Sequence, residues 1–580
     1  MSFGRETYAG KEMKIEKISI SGFRNYLDAK INFNKSTLVI GANDSGKTNL
    51  IYSIRLLLDK SLPELDLEPS EADFHFELNG KQSESILIDL HFKEIAEDAV
   101  LSSLKGKVGE DGKCVIRYFA KRDDLSYSLY CGPTQDDLEE ISSRFYLKYL
   151  NLRYVKSQRD LEKYINTEKR QLLKISQENR TELEVGEDKD KLLVIERGLN
   201  TINKNVKELH YVKGATEAVN IELSKLSHNM SSYSVHLDSG AIETQQFIDN
   251  LKLGASTAGA RISLGGDGRN NQILLSLWKA KSEREFDPES EVVFYCIEEP
   301  EAHLHPHQQR KLADYLIEEL PGQTFITTHS PQITARFSPE SIVHIKSNKG
   351  RSFAASGGCA KCIDNAWDKL GYRMSILPAE AFFAKSVLLV EGPSEKLFYT
   401  ELAKALDIDL DFYNISILSV DGVQFRVYIS ILNAMEISWV VRTDNDISNT
   451  TRNKKPCKNL AGINRCLTMA GLKKREHVNF STTHADLILD GSWKACSRKV
   501  NKKGIYLSKV DLEHDLSLEM PHELLEYSSE TDLPSAIAYL QAKKAIRMRE
   551  YLSAHREALV DIAGGDIARA LLHCVQQAKD

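Results

Sequence analysis

"LVIGANDSGKTNL", residues 38–50, is an apolar strand running into the spacing G-x-x-x-x-G-K-T, with Gly41, Gly46, Lys47 and Thr48 at its fixed positions. Each residue type has a physical task. The glycines let backbone N–H groups curl around phosphate oxygens at a helix N-terminus. Lys47 brings a positive charge to the β/γ-phosphates, and Thr48 offers a hydroxyl to a magnesium ion. Asn43 and Asn49 of the same stretch are counted among the nucleotide contacts. The helical pattern from Thr48 to about Lys60 fixes the order strand, loop, helix, so an α/β nucleotide-binding domain is expected.

A partner motif should then follow on a neighbouring strand, and "VVFYCIEEPEAHLHPHQQ" (292–309) supplies it. Six mostly apolar residues end on Glu298 and Glu299. The first carboxylate is placed to hold the Mg²⁺ and the second to orient or deprotonate the attacking water. "FITTHSPQI" (325–333) puts His329 just beyond another strand, where its ring could sense the γ-phosphate. Between the motifs, "RISLGGDGRNNQILLSL" (261–277) is a Gly-rich segment before a helix. Its Ser263 and Gly265 read as the signature loop of an ABC-type ATPase, which faces the nucleotide held by a second subunit. A dimer follows from that chemistry.

Composition sets the outer limits. The chain has 580 residues, 42% hydrophobic and 27% charged, enough for two or three domains with their own cores. No apolar run approaches the ~20 residues of a membrane span, and the N-terminal stretch lacks a signal-peptide core, so a cytoplasmic protein with no membrane partner is expected. Nine cysteines, sparse and odd in number, fit a reducing compartment. Cys359 and Cys362 form one Cys-x-x-Cys without the second pair that a structural zinc site needs. The net charge of −7 neither suggests nor excludes nucleic acid, because phosphate contacts depend on local patches. Two patches exist, "RNKKPCK" (452–458) and "KACSRKVNKK" (494–503).

Along the chain, residues 13–159 and 251–345 read as two parts of one ATPase domain, the second carrying the signature-like loop, the paired acids and the histidine. Residues 160–250 are charged, Pro-free and spaced for two or three long helices, an insertion favoured as a dimerisation element. A Gly-, Ser- and Lys-rich linker is expected within 346–380, a second α/β domain over 381–545 and C-terminal helices over 546–580.

That second domain has an acidic pattern of its own. In "SVLLVEGPSEKLFYTEL" (386–402) a strand ends on Glu391, and Glu395 falls in the first turn of the next helix. "ISWVVRTDNDISN" (437–449) presents Asp444 and Asp446 at the end of another strand. Alternate residues of extended chain share a side, about 6.6 Å apart, a spacing suited to two carboxylates gripping one cation or flanking two. Clustered carboxylates repel, so a cation is required. Oxygen ligands favour Mg²⁺, with Mn²⁺ a close substitute.

A strand ending Glu-Gly, followed by one ending Asp-x-Asp, resembles the Toprim fold. "KISISGFRNY" (17–26), the long helical insertion, "EEPEAHLHP" and "TTHSP" resemble the RecF/SMC-like ATPases of the OLD nuclease family. Downstream, "GIYLSKVDLEHDL" (504–516) and "AYLQAKKAIRM" (538–548) resemble the tail of that family, most closely its Gabija anti-phage branch. The resemblance implies that Glu513, with Asp511 as second candidate, completes a two-metal site. It further implies that Lys544, with Lys543 as the alternative on the same helix, sits by the scissile phosphate. Implied too are cleavage of double-stranded DNA, ATP as regulator, a homo-oligomer (dimer or tetramer) and a UvrD-like helicase partner. The rivals are a stand-alone OLD nuclease and, from another class, a RecF/SMC-like DNA clamp whose Toprim domain is not catalytic. A topoisomerase or primase fits less well, since no nucleophilic-tyrosine context or primase zinc motif is evident.

Overall fold

In the computed structural model, strand Ser36–Gly41 runs inside a six-stranded sheet, hydrogen-bonded in parallel to Thr324–Thr327 on one side and Ile342–Asn348 on the other. Burial on both faces explains why Leu38, Val39 and Ile40 are consecutive apolar residues. Beyond Thr324–Thr327 lie Val292–Glu298 and Leu150–Val155, also parallel, and Arg351–Ala354 closes the other edge as an antiparallel strand. The structure describes residues 13–156 and 161–226, short pieces between 244 and 280, and residues 291–579 apart from 303, 321, 361–377, 421, 423 and 453.

A second six-stranded sheet is antiparallel throughout, in the order Tyr26–Asn32, Lys14–Phe23, Ser85–Lys93, Cys114–Lys121, Tyr127–Thr134, Asp137–Ile141. Helix Lys47–Leu58 touches strands of both sheets and buries Leu50, Ile51, Ile54, Leu57 and Leu58 in their shared core. The start of the stretch expected as a linker is instead sheet, because Ile342–Asn348 and Arg351–Ala354 form a hairpin.

The Toprim region is a four-stranded, all-parallel sheet in the order Ile415–Ser419, Ser386–Val390, Ser438–Thr443, Ile505–Leu507. Its core includes Leu388, Val390, Phe398 and Leu402 together with Tyr551, Leu571 and Cys574. The C-terminal helices expected as a separate tail therefore complete this core; helix Arg569–Lys579 buries Ala570, Leu571, Cys574, Val575 and Ala578. A small antiparallel sheet of Ser448–Arg452, Lys455–Asn459 and Val478–Asn479 follows Asp446. It carries most of the first basic patch, and helix Ser492–Val500 carries most of the second.

The chain divides into two compact units, one of residues 1–156, 288–301 and 306–580 and the other of 157–287 with 302–305. The second unit holds the helices Leu161–Glu178, Glu182–Lys207 and His210–Leu226. Glu182–Lys207 begins with a reciprocal cap: Glu184 N–H donates to Thr181 Oγ1, and the Thr181 N–H donates to the Glu184 carboxylate. No helix among the described residues is long and apolar enough to cross a membrane.

Candidate active site and nucleotide site

The phosphate loop owes its shape to close backbone approach. A Cβ on Gly41 (φ 153°) would lie 2.4 Å from Ile345 O, and one on Gly46 (φ 109°) would lie 2.3 Å from Asn25 Nδ2. Only glycine fits either position. Asn25 is a wedge behind the loop, donating to Ser352 Oγ at 2.7 Å and accepting from Asn49 Nδ2 at 2.8 Å. Arg24 continues the chain, donating to Asn49 Oδ1 and Asp73 Oδ1, each at 2.9 Å. Asn49 is thus a second-row residue, whereas Asn43 and Thr48 are exposed at the loop and helix start.

Lys47 is buried and donates to Gly41 O (3.0 Å) and Ala42 O (2.8 Å). Burial holds its pKa below the ordinary lysine value, against the pull of Glu299, Asp44, Glu298 and Glu301. Those carbonyls are stand-ins for phosphate oxygens, which would carry the negative charge this cation lacks. Across the cradle, Tyr154 Oη donates to Glu298 Oε2 at 2.8 Å, and Glu299, held at φ 45°, stands 3.5 Å from His329 Nε2. A left-handed glutamate is a strained residue of the kind found at functional sites. Burial, and then Lys47, hold His329 below its ordinary pKa, with Glu299 opposing. Glu301, which the sequence left without a role, accepts from Thr328 Oγ1 and His329 N, both at 2.7 Å, and so sets the histidine loop. Ser263 and Gly265 lie outside the described residues.

In the Toprim region the parallel sheet delivers its acids at the C-terminal strand ends, where open α/β sheets bind ligands. Glu391 follows Ser386–Val390 and accepts at Oε1 from the Asp444 N–H at 2.9 Å, from Thr443 Oγ1 and from Arg465. The other arm of the Arg465 guanidinium pairs with Asp446. Glu395 is buried in the first turn of helix Pro393–Ala405. Burial, with Glu391 adding, raises its pKa. Asp444 is pushed up to about 9 by burial and by Glu391, Glu395 and Asp511, with Lys544 opposing.

Helix Leu512–Glu519 brings the last acids. Its cap is Asp511, which accepts from His514 N (2.9 Å), from the His514 ring at Nδ1 (2.6 Å) and from Gln541 Nε2 (2.7 Å). Although burial opposes it, the two His514 bonds and the charges of His514 and Lys544 hold Asp511 below its usual pKa, so this carboxylate is already engaged. Glu513 is 1% exposed, its Oε1 has no hydrogen-bond partner among the described residues, and its Oε2 lies 3.9 Å from Lys544 Nζ. The buried ion pair Arg442–Asp515 ties this helix to the strand that bears Thr443. The continuous helix expected over residues 538–548 is broken at Lys543 (φ −140°, ψ 55°), which separates Leu533–Ala542 from Lys544–Ala554. That break aims Lys544 at Glu513. Glu513, Asp444, Asp511 and Glu395 raise the Lys544 pKa against the opposing effect of burial.

The fold thus gathers Glu391, Glu395, Asp444, Glu513 and Lys544, leaves Asp446 at the rim with Arg465, and commits Asp511 to capping. Among the described residues no three His, Cys, Asp or Glu side chains stand close enough together to hold one ion. The donor set fits a hard divalent cation: its side chains offer only oxygens, one of them buried and without a partner among the described residues, and burial together with the neighbouring carboxylates raises the Asp444 pKa. Arg465 and Thr443 were not foreseen. A lone arginine on a helix carries no local signal beyond its place one turn after Gly462.

Residues 13–191 and 131–334 match the family model for the AAA ATPase domain. The chain belongs to that family. Residues 382–446 match the model described as the "Overcoming lysogenization defect protein-like, TOPRIM domain". It is the OLD-type pairing of ATPase and Toprim domains that the motifs resembled. The chain is 26% identical over 575 residues to Endonuclease GajA of Bacillus cereus (strain VD045), covering 93% of this chain and 95% of that protein. It is 22% identical over 457 residues to the OLD nuclease of Thermus scotoductus (strain ATCC 700910 / SA-01), covering 75% and 82%. An Smc head bound to the C-winged helix domain of ScpA superposes with a TM-score of 0.37 at 20% identity, over 59% of this chain and 96% of that one.

Proposed function

We propose that this chain is a nucleotide-regulated, metal-dependent DNA endonuclease that hydrolyses or nicks double-stranded DNA, acting as a Gabija-type nuclease subunit in anti-phage defence. One observation carries the chemistry: four carboxylates and a lysine converge at the C-terminal edge of the small parallel sheet, with Glu513 Oε1 buried and unpartnered among the described residues. A cluster in which carboxylates outnumber the cations beside them is costly unless a further cation joins it. Divalent ions, Mg²⁺ or Mn²⁺, would be held by Glu391, Glu395, Asp444, Asp446 and Glu513 and would supply a water of lowered pKa and charge neutralisation at the phosphate.

The chain's own groups do the rest. Lys544, charged and half-exposed beside Glu513, stabilises charge building on the phosphoryl oxygens. Thr443 and the Asp444 N–H orient Glu391 by holding one of its oxygens. The basic residues of Lys455–Asn459 and Ser492–Val500 bind the DNA backbone without reading its sequence. ATP, held by Lys47, Thr48 and Glu298, acts as gate or sensor, and a homo-oligomer and a helicase partner follow from likeness to the Gabija branch.

Nicking of a supercoiled plasmid with Mg²⁺ or Mn²⁺ tests the proposal. Glu391→Ala abolishes nicking, and Lys47→Ala nicks but no longer responds to ATP. Wild-type nicking by Glu391→Ala overturns the nuclease assignment; an unaltered ATP response in Lys47→Ala overturns the sensor.

A further inference from the structure

Helix Ala461–Met469 packs its first turn onto the Asp444–Asp446 loop, with Gly462 N donating to Asp446 O at 2.9 Å. A Cβ on Gly462 would stand 2.5 Å from Asp444 O and 2.6 Å from Asn445 Cα. Three residues on, Arg465 shares that face, and its guanidinium spans Glu391 and Asp446 while touching Thr443 Oγ1. Its side chain is only 13% exposed. Arg465 also lines a cavity of about 400 Å³ with Arg426, Lys474, Asn459 and Asn464; among the described residues its walls hold three cations and no carboxylate.

We propose that Arg465 is a built-in counter-cation of the Toprim basin, which a divalent ion must displace and which then turns into the Arg426–Lys474 cavity to hold a backbone phosphate of the DNA. The proposal rests on the metal reading of the basin. A guanidinium on Glu391 Oε1 and Asp446 Oδ2 stands within a few ångströms of any divalent ion taken up by the remaining oxygens of the same two carboxylates, and at that range repulsion between the two cations favours one over both. Arginine suits both stations: its planar fork bridges two carboxylate oxygens in one and grips a phosphate bidentately in the other. The long stem pivots between them without backbone movement, because one side chain already borders both the acids and the cavity. Metal uptake would thus create the phosphate site, and the two would bind with positive coupling.

The test uses the full, nucleotide-free chain. Calorimetry measures Mn²⁺ binding without DNA in wild type, Arg465→Gln and Glu391→Gln. NMR then follows the dinucleotide pTpT, with and without Mn²⁺, in wild type, Arg465→Gln, Arg465→Lys and Arg426→Ala/Lys474→Ala. Arg465→Gln should bind Mn²⁺ at least tenfold more tightly than wild type. Mn²⁺ should strengthen pTpT binding severalfold in wild type, less in Arg465→Lys, and not in Arg465→Gln or the double variant. If Glu391→Gln loses Mn²⁺ yet Arg465→Gln binds it no better than wild type, displacement is refuted and the metal site stands. If wild type and Glu391→Gln bind Mn²⁺ alike, the metal reading falls and takes this proposal with it.

Discussion

Replacing Gly462 by alanine sets two effects against each other, and the structure decides the sign. In an open helix, Gly→Ala stabilises by about 1 kcal/mol. Here the added methyl would meet Asp444 O at 2.5 Å, Asn445 Cα at 2.6 Å and Asp446 N at 2.7 Å, all of them backbone atoms that cannot rotate away. Carbon contacts relax at about 3.5 Å, so the helix and the acidic loop must separate by about 0.9 Å. Overpacking of this kind costs about 1–3 kcal/mol, which outweighs the helix preference. The shift falls on the loop that aims Asp444 and Asp446, and a misplacement of about 1 Å can cost about 100-fold in rate. Gly462→Ala should therefore nick plasmid about 100-fold more slowly and melt earlier, while a fluorescent ATP analogue binds as in wild type. Nicking within threefold of wild type at an unchanged melting temperature would refute the reasoning, because the methyl would then have found room.

Two further outcomes follow from named contacts. Lys544→Ala should lower the single-turnover cleavage rate by about 10²–10³-fold, whereas Lys543→Ala, at the helix break, should stay close to wild type; equal losses would remove the distinction. His344, buried with its Nδ1 donating to Met435 O at 2.9 Å, is depressed to about 4, chiefly by burial and also by Lys346 and Lys47, while the Met435 carbonyl and Glu436 oppose. The native ring resists a proton that the unfolded ring accepts near 6.5, so its contribution is complete above pH 6.5 and disappears as pH falls towards 4. At about 1.4 kcal/mol per pH unit this amounts to roughly 3 kcal/mol. His344→Gln should flatten that part of the stability–pH curve, and an unchanged slope would exclude His344 as its source.

Much of the architecture could be read in the sequence because local physics enforces it. A phosphate loop needs glycines and a lysine at fixed spacing, and a strand buried on both faces needs consecutive apolar residues. Gly41–Thr48, Val292–Glu299 and Ser386–Glu391 were therefore legible one by one. The break at Lys543 was hidden, because "AYLQAKKAIRM" has helical composition throughout and only packing against the Toprim core interrupts it. The hairpin within the presumed linker was hidden as well, since its pairing partner, Ser36–Gly41, lies some 300 residues earlier.

Residue identity and spacing determined which carboxylates this protein has to offer and which strands carry them. Tertiary structure alone decided how they are engaged. Asp511 is taken by His514 and Gln541, Glu513 is left buried with an oxygen that no described residue bonds, and Lys544 is turned towards it. Arg465, one cation among 76 lysines and arginines in the sequence, lies across Glu391 and Asp446 because Gly462 lets its helix touch the acidic loop. The reason is one of range. Strand and loop signals act over a few residues, whereas charge pairing acts through space, between positions that only the folded chain brings together.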